Sequence, residues 1–217
     1  MMKSILALTV LFQVGFLTGF AQKFKGEGRT HESEIIYSGD GTVVLETGEQ
    51  LTGLIKHSRV TQRRVSISVD GKQTTYKIAE VKHFTIGDIY FEKIESPIVS
   101  IPQDYDFAIL FSSPQSTIRV YEVCYQEDIA IGENAAKGLW PTNRSYHVLF
   151  PSAKKLKGLD DIAFIPFKKV TKLVSDCQPL VDKINNKEKG YFLSLVATSE
   201  QKLDAFINIA NSYSQCK

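Results

Sequence analysis

Arg64-Val65-Ser66-Ile67-Ser68-Val69-Asp70-Gly71-Lys72-Gln73-Thr74-Thr75-Tyr76-Lys77-Ile78 is the stretch on which the fold turns. Val65, Ile67 and Val69 alternate with Arg64, Ser66 and Ser68, the period of two that marks a strand with one buried face. Asp70-Gly71 follows at once, and this pair accepts the left-handed backbone that a tight hairpin needs. Gln73 to Ile78 then reads as the returning strand.

The same grammar extends in both directions. Upstream it begins at Ile35. Thr42-Val43-Val44-Leu45-Glu46-Thr47 and Leu51-Thr52-Gly53-Leu54-Ile55-Lys56 flank a turn at Gly48-Glu49. Downstream, Val81 to Ile86 and Ile89 to Ile94 flank Gly87-Asp88. Phe107 to Phe111 is a continuous apolar run, suited to a strand buried on both faces. Ile118 to Tyr125 and Ser145 to Phe150 are further strands, separated by a loop over Gln126 to Asn143. Short strands at close spacing predict a curled antiparallel sheet, a sandwich or small barrel.

After Lys157 the period changes from two to that of a helix. Pro166 suits a first helical position, and Phe167, Val170, Leu173 and Val174 recur at helical spacing. Pro179 opens a second short helix with Leu180, Val181 and Ile184 inward, broken by Asn185, Asn186 and Gly190. Thr198 and Gln201 make a capping box before Leu203, Phe206, Ile207 and Ala210. Tyr191 to Val196 reads equally as helix or strand. The expected class is therefore α+β: a β-rich domain over residues 35–157, then a helical C-terminal subdomain over 158–217, packed on or beside the sheet.

Residues 1–21 read as a secretory signal peptide. Lys3 precedes a largely apolar run from Ile5 to Phe20, and Gly19-Phe20-Ala21 places small residues for cleavage after Ala21. The run falls short of the ~20 apolar residues of a spanning helix, and no basic flank follows it directly. A bacterial lipoprotein anchor would need a cysteine there, which is missing. Residues 22–34 are polar and form a flexible lead-in. The full chain of 217 residues carries 26 basic and 24 acidic side chains. Such a balance gives no footprint for nucleic acid, and 43% hydrophobic residues exclude a mostly disordered chain.

Export leads to an oxidising compartment, where disulfides persist. Of Cys124, Cys177 and Cys216, the last two lie in or beside the C-terminal helices and are the expected pair; three reduced thiols are the other reading. Cys124 sits in a strand-like segment and reads as a small buried hydrophobe.

The order of features resembles an uncharacterised family of exported proteins from Bacteroidota. The resemblance rests on Phe20-Ala21-Gln22 and on the strand pair from Gly41 to Ile55. It also rests on the Tyr76-x-Ile78-x-x-Val81-x-x-Phe84 step, and on Val174-Ser175-Asp176-Cys177 with Ser212-Tyr213-Ser214-Gln215-Cys216. Ser214 stands where that family would have Asn. The resemblance implies an envelope or secreted location and transfers no catalytic residue.

The remaining motifs point to no chemistry. His31, His57, His83 and His147 form no zinc-binding spacing, although His57 and His83 can meet across strands. Asp104-Tyr105-Asp106 and Asp160-Asp161 fit solvated turns and a helix approach, and neither continues into a calcium loop. Ser152-Ala153-Lys154-Lys155 matches S-x-x-K without its companion motifs. Lys154, Lys155, Lys157, Lys168, Lys169 and Lys172 form a basic stretch, read as a solvated face or a contact for anionic lipid. Asn143-Arg144-Ser145 is a sequon by pattern only. No catalytic, cofactor-binding or metal residue is assigned.

The expected function is that of a non-enzymatic envelope protein, a binding or scaffolding module with an envelope protein or a surface glycan or lipid as partner. It is not an integral membrane protein once its signal is removed. A hydrolase of envelope glycan or lipid, its site built from distant loops such as Gln126 to Asn143, is the first alternative. A carrier holding an apolar ligand inside the curled sheet is the second.

Overall fold

The computed structural model describes residues 36–58, 63–96, 105–126, 142–153, 155–159, 167–192 and 197–216. Ten strands form one antiparallel sheet: β1 (Ile36–Leu45), β2 (Gln50–Ser58), β3 (Arg64–Val69), β4 (Lys72–Lys77), β5 (Val81–Ile86), β6 (Ile89–Glu95), β7 (Tyr105–Leu110), β8 (Arg119–Gln126), β9 (Thr142–Leu149) and β10 (Lys157–Gly158). Among the described residues three α-helices follow: α1 (Phe167–Leu173), α2 (Gln178–Asn185) and α3 (Ser199–Ser214). The signal segment, the lead-in, Asp104, Asp160, Asp161, Pro166 and most of the loop after Gln126 lie outside the described residues.

The strand order is β10-β9-β8-β7-β6-β5-β1-β2-β3-β4. Every pairing but one joins sequence neighbours; the exception sets β1 beside β5 and encloses the β1–β4 meander. The sheet is open, with β4 at one edge and β10 at the other. The β3–β4 hairpin turns as its sequence demands: Asp70 and Gly71 have φ of 51° and 78°, the mirror-image turn whose twist matches the strands.

The sheet nevertheless curls hard. In a flat sheet β2 and β7 would stand about 19 Å apart, four strand spacings. The His57 ring on β2 instead lies 5.5 Å from the Phe107 ring on β7, 5.4 Å from Phe91 on β6 and 4.9 Å from Phe84 on β5. Phe84 and Phe91 stack at 4.5 Å, and Tyr37 of β1 meets Phe91 edge-on at 5.3 Å. Val43, Ile55, Val65, Ile67 and Val81 complete this concave core. A Lys93–Glu46 ion pair bridges the mouth of the curl from β6 to the end of β1.

Glycine makes the curl possible. Gly41 of β1 faces Gly53 of β2 in register. β1 pairs with β2 from Ile36 to Val44 but with β5 only from Val43 to Leu45, so its first half bends away across the end of β5. A Cβ on Gly41 would lie 1.8 Å from the Thr85 carbonyl oxygen, and one on Gly53 would lie 2.2 Å from that of Ser68. Both backbones approach too closely for any side chain, the usual reason for glycine at a sheet corner.

β7 is buried on both faces, as its continuous apolar run predicts. Phe107 and Ile109 enter the concave core, whereas Ala108 and Leu110 join Ile94, Tyr121 and Val123 on the opposite side. The helices pack on β8 and β9. Val170, Val174, Leu180, Ile184, Phe206, Ile209 and Ala210 bury against Ile118, Val120, Val148 and Phe150. The capping box opens α3: Thr198 Oγ1 accepts from the Gln201 N–H at 3.2 Å, and Gln201 Oε1 accepts from the Thr198 N–H at 3.0 Å. At the other end, Cys177 and Cys216 form a disulfide, and the Tyr213 hydroxyl donates to Asp176 at 2.8 Å. Ser214 donates to Ser116 at 3.0 Å, which ties the end of α3 to the β7–β8 turn.

Candidate functional site

Two polar surfaces stand out on the sheet. The first is a row on the face opposite the concave core. Glu92 of β6 is its centre. Tyr121 of β8 donates its hydroxyl to Glu92 Oε2 at 2.9 Å, reaching past β7, where the small side chain of Ala108 leaves room. Arg119 of β8 holds the same oxygen at 3.6 Å. His83 of β5 stacks on Tyr90 of β6 at 5.1 Å.

Burial and the Glu92 charge raise the phenol pKa of Tyr121 and Tyr90 above its ordinary value, with Arg119 opposing in both. The direct hydrogen bond to Glu92 adds to the effect on Tyr121. Burial, then the Lys82 charge, lowers the His83 pKa, and Glu92 opposes them. A raised phenol cannot serve as a base near neutrality, and Glu92 already holds two partners. The row therefore reads as a cross-strand brace that joins β6 to β8.

The sign of its pH dependence follows. Below the ordinary phenol value of 10.0 both folded and unfolded Tyr121 keep their proton, and the group contributes nothing pH-dependent. Above it only the unfolded chain ionises, so stability falls as pH rises. Alkaline unfolding is expected to begin near pH 10, and Tyr121→Phe should move that onset upward while lowering stability at pH 7 by about 1–2 kcal/mol. Denaturant titrations at pH 7, 9 and 11 would check both; an unchanged alkaline onset in the variant would remove Tyr121 from this role.

The second surface is the outer face of β1–β4. The register lays it out in rows: Ser38, Lys56, Ser66 and Thr75 in one, Asp40, Leu54, Ser68 and Gln73 in another. Arg64 faces Lys77 at the end of the β3–β4 pair. Hydroxyls pair across strands, Ser66 with Thr75 at 2.8 Å and Thr42 with Thr52 at 3.2 Å. Lys56, Arg64, Gln73, Thr75 and Lys77 are exposed, and so are Ile36 and Leu54.

The residues singled out from sequence are dispersed. His57 and His83 do not meet. His57 points into the concave core, its Nδ1 donating to the Arg64 carbonyl at 3.1 Å, while His83 lies on the opposite face. Their strand positions have opposite parity relative to the core, and sequence alone could have shown this once Ile55 and Phe84 were placed inside. His147 bonds Ser145 through Nε2 at 2.8 Å. Asp106 lies not in a turn but on β7, opposite Ile94, and accepts from the Phe107 N–H at 2.8 Å. Ser152 and Lys155 of the S-x-x-K match are both exposed. Among the basic stretch, Lys155, Lys157, Lys169 and Lys172 are exposed, and Lys154 and the Lys168 side chain lie outside the described residues. Cys124 is buried and takes no part in the disulfide. The described residues include no helix long and apolar enough to cross a membrane.

Comparison with protein-family models, with curated proteins and with solved structures returned no match to this chain.

Proposed function

We propose that the chain is an exported envelope protein that works as a non-enzymatic binding or scaffolding module and presents the outer face of β1–β4 to its partner. The observation that carries this reading is the contrast between faces. The concave core and the helix-covered side of β8–β9 are closed by buried apolar side chains, and the polar row on the far side of β6–β8 is occupied by its own contacts to Glu92. The outer face of β1–β4 instead displays hydroxyls, cations and exposed aliphatics on strands held rigid from beneath. Surfaces that mix exposed apolar and polar groups in this way mark interaction sites. The edge strand β4 borders it and offers unpaired backbone groups, with Lys72 and Lys77 at its two ends. The signal segment and the Cys177–Cys216 disulfide agree with an oxidising destination.

The carrier reading has less in its favour. The inside of the curl, where an apolar ligand would sit, is filled by Phe84, Phe91, Phe107, His57 and Ile55. The hydrolase reading has its loop at 127–141, outside the described residues.

Native mass spectrometry of the chain recovered without reductant from its own envelope fraction tests the proposal. The expected result is a complex with an envelope component that dissociates when β1–β4 is altered on its outer face. A covalently processed glycan or lipid released by the purified chain would replace this reading with the hydrolase.

A further inference from the structure

We propose that the outer face of β2–β4 docks on the phosphate groups of an anionic lipid surface through Lys56, Arg64 and Lys77; this rests on the binding-module reading and names its partner. The first ground is a conflict built into the register. Arg64 stands directly opposite Lys77 on neighbouring strands, and like charges so placed oppose folding. Lys56 faces Ser66, diagonal to Arg64, so the three cations gather at one end of the face. Among the described residues no carboxylate comes within ion-pair distance of any of them. Glu80 is engaged on the Lys77 backbone N–H at 2.7 Å, and Asp40 sits in another row, opposite Leu54. An external anion between Arg64 and Lys77 would turn the repulsion into two attractions, and the Ser66–Thr75 hydroxyl pair beside it has one proton left to donate.

The second ground selects a lipid surface over a soluble anion. Ile36 is 45% exposed and Leu54 53% exposed, and both point from the same face as the cations. Aliphatic groups beside basic ones suit the boundary between headgroups and acyl chains. A free phosphate or a sugar acid gives Ile36 and Leu54 nothing to bury against.

Flotation of the full chain with vesicles is the test. At low salt the chain is expected to bind vesicles of phosphatidylcholine with phosphatidylglycerol, to ignore phosphatidylcholine alone, and to be released as ionic strength rises. Each basic residue near an anionic surface contributes roughly fivefold, so an R64Q/K77Q variant should bind about twenty-five-fold more weakly. Its melting temperature should be unchanged or higher, because the like-charge pair is gone. If that variant does not fold, Lys56→Gln alone should still weaken binding about fivefold. A K155Q/K157Q/K169Q/K172Q variant should bind as well as the parent. The proposal is overturned if the chain ignores anionic vesicles, or if only the quadruple variant loses them. Competition by inorganic phosphate or soluble polyphosphate as effective as that by vesicles would overturn it too. Failure here alongside an envelope protein seen in the native mass spectrum leaves the binding-module reading standing; failure of both removes it.

Discussion

Replacing Cys177 and Cys216 together by serine is expected to lower the free energy of unfolding by about 4 kcal/mol. The bond joins residues 39 apart in sequence, and closing a loop of that length removes conformational freedom chiefly from the unfolded chain. Its place in the fold sharpens the expectation. Cys177 precedes α2 and Cys216 follows α3, so the bond fastens the two helices that close over β8 and β9. Beside the bond, the Tyr213–Asp176 and Ser214–Ser116 hydrogen bonds remain, each worth roughly 1 kcal/mol or a little more, together with the apolar packing of the helices on the sheet. They hold position once the helices are docked but do nothing for the unfolded ensemble. Urea titrations of parent and variant would show the loss, with a steeper dependence on urea in the variant because its unfolded state is more expanded. Thiol titration of the denatured, unreduced parent should find one free thiol, Cys124. Three free thiols, or a variant within about 1 kcal/mol of the parent, would sink the assignment.

That pairing was legible in the sequence for a local reason: Cys177 stands just before the helix that Pro179 opens, and Cys216 falls at the end of the helical pattern that the Thr198–Gln201 box starts. The Asp70-Gly71 hairpin and the doubly buried β7 were legible on the same footing, since turn chemistry and hydrophobic period are properties of a few consecutive residues. What escaped is what long-range pairing decides. The placement of β1 beside β5 rather than at an edge follows from no local signal. β10 is two residues long and carries no period at all. The expectation of a sandwich or small barrel resolves into one curled open sheet, because alternation reports that a face is buried but not which strands close over it.

The candidate surface escaped for the same reason. Lys56, Arg64 and Lys77 are spread over three strands, and only the register brings them together. The basic run from Lys154 to Lys172 drew attention because it is contiguous in sequence, yet its described members are spread between the β10 region and α1.

Gly41→Ala is expected to cost about 3 kcal/mol or more, although it adds one methyl group. Its backbone lies outside the left-handed region, so conformational strain at the residue is not the cause. The cause is the Thr85 carbonyl, 1.8 Å from where the Cβ must go, with the Ile55 Cδ1 at 2.9 Å. The Ile55 methyl can rotate aside. The carbonyl belongs to β5, whose pairing with β6 fixes it, so β1 itself would have to lift away. Lifting β1 opens the curl, because β1 carries β2, and β2 carries His57 and Ile55 over Phe84, Phe91 and Phe107. A single methyl therefore acts on the whole aromatic core. Gly48→Ala makes the control. Gly48 has φ of 88° and open space around its absent side chain, so the substitution should cost only the left-handed penalty of about 1–2 kcal/mol. Thermal unfolding of the two variants would separate the causes, and near-UV circular dichroism would report the loosened aromatic stack in Gly41→Ala alone. Equal melting temperatures would mean that the corner is soft, and that the curl is held by the aromatic core rather than permitted by the glycine.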